Sequence, residues 1–96
     1  MKRRAVVFSP EARLDLFQLF DWIAERVGED IAMGYVERLE SYCLNFEAAP
    51  HRGRRRDDIR PGLRMVGFER RVTIAFTVDA EAVVILRLFY GGRNWG

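Results

Sequence analysis

Residues 51–65, HRGRRRDDIRPGLRM, bring together six arginines, the only histidine of the chain and an adjacent pair of aspartates. Acid–base catalysis needs a histidine or paired carboxylates with something to activate, and His51 has no such neighbour in sequence. Asp57 and Asp58 are the residues that would ligate a metal. Adjacent side chains of an extended segment point to opposite sides, however, and the surrounding arginines neutralise both, so internal salt bridges are the expected arrangement. The stretch therefore nominates no catalytic residue, no metal ligand and no cofactor site. What remains is anion recognition, because the arginine fork suits carboxylate and phosphate alike.

The identity of that anion stays open on composition. Residues 51–71 carry eight arginines against three acids, whereas residues 11–50 carry nine acids against three arginines, so the overall charge of +2 conceals a strong segregation. A nucleic acid fits: contact with about five phosphates of a duplex would give log K a slope near −4.5 against log salt. Against it, no aromatic lies between Arg52 and Arg64 to stack on a base. The acidic arm of a protein partner fits equally well, and direct DNA binding is undecided.

The chain that must position these groups has 96 residues, 49% of them hydrophobic and 12% aromatic. That is the size and composition of one folded domain, residues 1–96. The apolar run near the start is too short for the core of a signal peptide, and no stretch approaches a membrane span, which predicts a cytoplasmic protein without a membrane partner. The single cysteine, Cys43, excludes an internal disulfide and reads as a small apolar filler on a helix.

RAVVF, residues 4–8, reads as a strand. Ser9 then caps a helix with Pro10 in its first position, and Leu16, Leu19, Phe20, Ile23 and Val27 form its apolar stripe, with Asp15, Gln18, Asp21 and Glu25 off it, until Gly28 ends it. Leu14 and Trp22 lie away from the stripe centre, and a neighbouring helix is expected to cover Trp22. Asp30 is the expected cap of a second helix whose inner face holds Ala32, Tyr35, Leu39, Tyr42, Cys43 and Phe46, with Pro50 marking its end. Pro61-Gly62 suits the centre of a type II turn. Beyond it, residues 63–68, 72–78 and 83–89 alternate as strands, separated by short turns at Glu69-Arg70 and DAEA. The predicted class is α+β: an N-terminal strand, an antiparallel two-helix hairpin, and a three-stranded antiparallel meander, with the hairpin packed on one sheet face.

SPEARLDL followed by WIAE, then RDDIRPGLR, then VVILRLFYGGRN, in that order, resemble the ParE toxins of bacterial type II toxin–antitoxin modules, within the RelE/ParE superfamily. The resemblance covers roughly residues 6–94. It implies a toxin that arrests growth by trapping DNA gyrase on cleaved DNA and that is held inactive in a hetero-oligomer by a ParD-like antitoxin, through an amphipathic helix and an added strand. On that resemblance Arg60, Arg64, Arg93, Asn94 and Trp95 are candidates for gyrase contact. Leu14 and Trp22 are candidate anchors for the antitoxin, and Arg54, Arg55, Arg56 and Arg71 would answer its acidic residues.

Two alternatives stand beside it: a RelE-like ribosome-dependent endoribonuclease, and a nucleic-acid-binding module without toxic action. The first relies on lysines and arginines lining the sheet and a tyrosine near the carboxyl end. Here the only lysine is Lys2, Thr73 stands where such toxins place an arginine, and the ending GGRNWG has no tyrosine, although Arg93 matches a basic position. The chain also departs from the usual ParE ending, with Tyr90 where histidine is common and Asn94 where aspartate is common.

Overall fold

The computed structural model describes residues 4–90. β1 (Ala5–Phe8) leads into α1 (Pro10–Val27) and α2 (Glu29–Leu44), followed by a 3₁₀ turn, Asn45–Glu47, and then β2 (Arg54–Arg55), β3 (Leu63–Phe68), β4 (Val72–Val78) and β5 (Ala82–Tyr90). The sheet order is β1-β5-β4-β3-β2. β1 pairs with β5 in parallel, Ala5 opposite Ala82 and Phe8 opposite Ile85, and every other pairing is antiparallel. The predicted strand, hairpin and meander are all present. β2, a two-residue strand inside the arginine stretch, was not predicted: Arg54 and Arg55 carry no apolar alternation that would mark a strand.

Ser9 caps α1 as its position suggested. Its Oγ accepts from the Ala12 N–H at 3.0 Å and donates to the Leu86 carbonyl at 2.9 Å, so one hydroxyl both starts the helix and ties it to β5. Gly28, at φ 99°, ends α1 and directly precedes α2, making the hairpin joint a single residue. Asp30 is consequently not the cap: the chain has already turned at Gly28, and Asp30 sits inside the first turn, where its charge faces the positive end of the helix. α2 also stops at Leu44, before Pro50, and the tighter 3₁₀ turn carries Phe46 into the core.

The hairpin packs on one face of the sheet, burying Ala12, Leu19, Tyr35, Leu39, Cys43 and Phe46 against Phe68, Ile74, Phe76, Val83, Ile85 and Leu88. The opposite face carries a smaller cluster of Leu63, Ala75 and Phe89, covered in part by Ile59. A bulge in β5 opposite Ala75/Phe76 lets two residues face one, and shifts the inward positions from Val83 and Ile85 to Leu88 and Tyr90. Among the described residues no helix is long and apolar enough to cross a membrane.

The expected stripe of α1 needs one correction. Asp15, read as a surface residue, is only 4% exposed, while Val27 is 54% exposed. The reason lies at the edge of β5. β1 covers that edge only as far as Ile85, and α1 takes over where it stops: the Ser9 N–H donates to the Ile85 carbonyl at 2.9 Å, and Asp15 accepts from the Leu88 N–H at 2.9 Å. Arg87 closes the arrangement with a two-pronged ion pair to Asp15, at 2.8 and 3.1 Å.

Candidate functional site: an arginine loop and an apolar groove

The arginine stretch is partly spent on its own folding. Arg52 lies over the rings of Tyr42 and Phe46, each 5.2 Å away, and donates to the Ala49 carbonyl. Arg64 donates from Nε to the Arg52 carbonyl at 2.9 Å. Arg55 pairs with Asp57 and Arg56 with Asp58, at 3.0 and 2.9 Å, which bears out the salt-bridge reading of the two aspartates. The segment is a turn and not extended, however, and Asp57 also accepts from the Gly62 N–H at 2.8 Å, the bond that most lowers its pKa. Asp58 is lowered chiefly by its hydrogen bonds from Arg56.

The turn geometry follows the Pro61-Gly62 signal: Gly62 is at φ 80° and the Leu63 N–H donates to the Arg60 carbonyl at 3.1 Å. Gly53 has a different constraint. At φ 72° it presses against β3, and a Cβ there would lie 2.2 Å from the Met65 carbonyl oxygen, so only glycine lets β2 close onto the sheet. Arg54 and Arg60 remain exposed and without an ion pair among the described residues. Of the gyrase candidates, Arg60 is thus available, Arg64 is half-buried with one donor engaged, and Arg93, Asn94 and Trp95 lie outside the described residues.

At the other end of β3 the hairpin and the sheet leave a groove of about 500 Å³. Leu19, Trp22 and Ile23 of α1 line it with Tyr35 of α2 and Tyr90 of β5, and Arg26, Arg70 and Arg71 stand at its rim. Trp22, which the sequence reading expected a neighbouring helix to cover, is half-buried at this groove. It packs on Tyr90, ring centroids 5.8 Å apart, and the Arg26 guanidinium lies 4.1 Å over its ring. The candidates Trp22 and Arg71 therefore share one groove. Leu14, 56% exposed, lies outside its lining, and Arg54, Arg55 and Arg56 belong to the loop at the far end.

The turn beside the groove is unusual in its residues. Glu69 and Arg70 both have positive φ, 48° and 61°, as a type I′ turn requires, yet neither is the Asn or Gly that accepts this conformation cheaply. Glu69 is clamped to Arg38 of α2 by two hydrogen bonds of 3.0 and 3.1 Å, which lower the Glu69 pKa. Arg38 in turn lies 5.3 Å over the Tyr35 ring. Arg70, Tyr35 and Arg26 were not nominated from the sequence; a Trp22–Arg26 pair one helical turn apart was the only local hint.

The open face of the sheet holds little chemistry. Residues directly opposite one another share a face, so its rows read Gly67–Thr73–Phe89, Arg54–Met65–Ala75–Arg87 and Leu63–Thr77–Val84. Arg87 is already bound to Asp15. Cys43 is fully buried, and burial pushes its thiol up to about 12. No group of three potential metal ligands occurs among the described residues.

The fold and the sequence lead to the same relatives. The structure aligns with a chain of the chromosomal ParDE TA system from P. aeruginosa at a TM-score of 0.80, with 21% identity, covering 92% of this chain and 96% of that one. Toxin ParE3 of Caulobacter vibrioides is 35% identical over 80 residues, 83% of this chain and 79% of the relative. A match to the family described as ParE toxin of type II toxin-antitoxin system, parDE, spans residues 6–95. With the family matching nearly end to end, this chain belongs to the ParE toxins of type II toxin–antitoxin systems.

Proposed function

We propose that the protein arrests growth as a non-enzymatic poison of DNA gyrase, trapping the cleaved gyrase–DNA complex in the cytoplasm, and that a ParD-like antitoxin neutralises it by direct binding in a hetero-oligomer. Family membership supports the toxin reading. The observation that carries the rest is that exposed arginines without an ion pair among the described residues stand at both ends of β3. Arg54 and Arg60 stand on the loop before it, and Arg70 and Arg71 stand on the turn after it, beside an apolar groove. The loop suits a target surface such as gyrase, or DNA held by it. The groove suits the apolar face of an antitoxin helix, and β1, an edge strand of the sheet among the described residues, suits an added strand. The ribonuclease alternative asks for proton-moving groups on the open sheet face, and the rows described there supply Arg54 and the engaged Arg87.

The test is a cleavage and supercoiling assay with purified gyrase, plasmid and ATP. Linear plasmid is expected to accumulate with added toxin and to vanish with excess antitoxin, and Arg54→Ala with Arg60→Ala is expected to weaken the effect at least tenfold, about 1.4 kcal/mol. Intact gyrase activity in the presence of folded, antitoxin-free protein sinks the gyrase reading.

A further inference from the structure

The groove holds a feature that packing does not explain. Tyr35 is 7% exposed, and its Oη is buried without a hydrogen-bond partner among the described residues. A hydroxyl in that position is a cost to the isolated fold, because a phenylalanine would fill the same space with no polar group to desolvate. The ring itself is well placed, edge-on to Phe68 at 5.6 Å. The charges that act on the hydroxyl are Glu69, Arg71 and Arg38, all on exposed side chains, and desolvation is the main reason its pKa is raised, so it stays a proton donor at neutral pH. Glu69 is committed to Arg38, whereas Arg70 and Arg71 have no ion pair among the described residues.

We propose that the groove is a two-part receptor for an acidic peptide: Trp22, Ile23 and Tyr90 take a large apolar side chain, and Arg71 together with the Tyr35 hydroxyl takes a carboxylate one helical turn away on the same segment. This rests on the antitoxin reading and adds to it the chemistry of the segment that binds. A carboxylate matches both halves of the polar end, since it accepts from the guanidinium and from the phenol at once. Arg71, an exposed side chain, lines the same groove as Tyr35. The apolar end is lined by Trp22, Ile23 and Tyr90. On a helical segment, a Leu or Phe followed three or four residues later by Asp or Glu presents both groups on one face.

The experiment uses the full chain and two probes. The first is a cognate ParD-like antitoxin, titrated against wild type, Tyr35→Phe and Arg71→Ala. The second is 3-phenylpropionate, with 3-phenylpropionamide as its uncharged control, followed through the Trp22 indole N–H and the amides of residues 69–71. Tyr35→Phe is expected to keep or raise Tm while weakening antitoxin binding roughly tenfold, which is 1.4 kcal/mol. Arg71→Ala is expected to weaken binding at least as much, and the acid probe to shift the groove signals where the amide does not. A lower Tm for Tyr35→Phe would show the hydroxyl serving the fold and overturn the inference, as would equal shifts from acid and amide. If antitoxin binds all three proteins equally while still neutralising them, the receptor is wrong and the antitoxin reading survives. If no antitoxin binds wild type, the antitoxin reading fails, and the two small probes alone decide whether the groove selects a carboxylate.

Discussion

Asp15 shows how one side chain can finish a sheet. It accepts the Leu88 N–H and both prongs of Arg87 from a position that is 4% exposed, so removing its carboxylate leaves a backbone donor and a half-buried guanidinium without partners. Asp15→Ala is expected to destabilise the fold by about 2–3 kcal/mol, the range for a lost buried, charge-assisted network with one partly exposed member. Urea unfolding checks this, and a loss below about 0.5 kcal/mol would mean that solvent replaces the carboxylate at no cost. Periodicity had placed Asp15 on the wet side of the helix. A helical pattern cannot reveal that the edge of a strand, far away in sequence, lacks a neighbour at that point.

Among the elements, the β3–β4 turn is where local preference and the observed conformation disagree. Two consecutive residues other than glycine at positive φ cost roughly 1–2 kcal/mol each. Arg70→Gly relieves one of them but adds about 0.4–1 kcal/mol of chain entropy to the unfolded state. The net expectation is a gain of about 0.5–1 kcal/mol in chemical denaturation, and a loss in stability would show that Arg70 makes contacts that outweigh its backbone strain. The same turn illustrates what was legible in advance. Its position between two alternating runs was plain, as were the Ser9-Pro10 helix start, the Gly28 joint, the Pro61-Gly62 turn and the inner face of α2. β2 was hidden because two arginines have no strand signature. The parallel partner of β1 was hidden because pairing is not local. The groove was hidden for the same reason: Trp22 and Arg71 were each nominated, but only the fold brings them to one place, and Tyr35 looked like an ordinary core residue in its helix.

For the molecule as a whole, four surface carboxylates titrate low for separate reasons. The Asp57 pKa is lowered mainly by the Gly62 N–H, Asp58 by Arg56, Glu69 by Arg38, and Asp79 by the N–H groups of Glu81 and Ala82. Each folded-state pKa lies below its ordinary value of 3.8 or 4.5, so the unfolded chain binds more protons in acid. Their stabilisation is complete above the unfolded values and is lost as pH falls through the folded ones. Stability is therefore expected to be level from pH 7 to about 5 and to decline below about 4.5. Asp79→Asn should make that decline shallower. Equal urea midpoints at pH 3 and pH 7 would show that these bonds persist in the unfolded chain.

The pairing of β1 with β5 also orders events during synthesis. Ala5 waits for Ala82, and Phe8 for Ile85, so the first strand made has no partner until the last one described has left the ribosome. Until then the helical hairpin has only part of the sheet to pack on, and Asp15 has neither Arg87 nor Leu88 to hold. A nascent chain halted anywhere before β5 lacks the Tyr90 wall of the groove, and with it part of the surface that an antitoxin would grip. On the antitoxin reading proposed above, neutralisation through that groove waits for β5, so a standing excess of antitoxin, and not a race with translation, is what would keep such a cell growing.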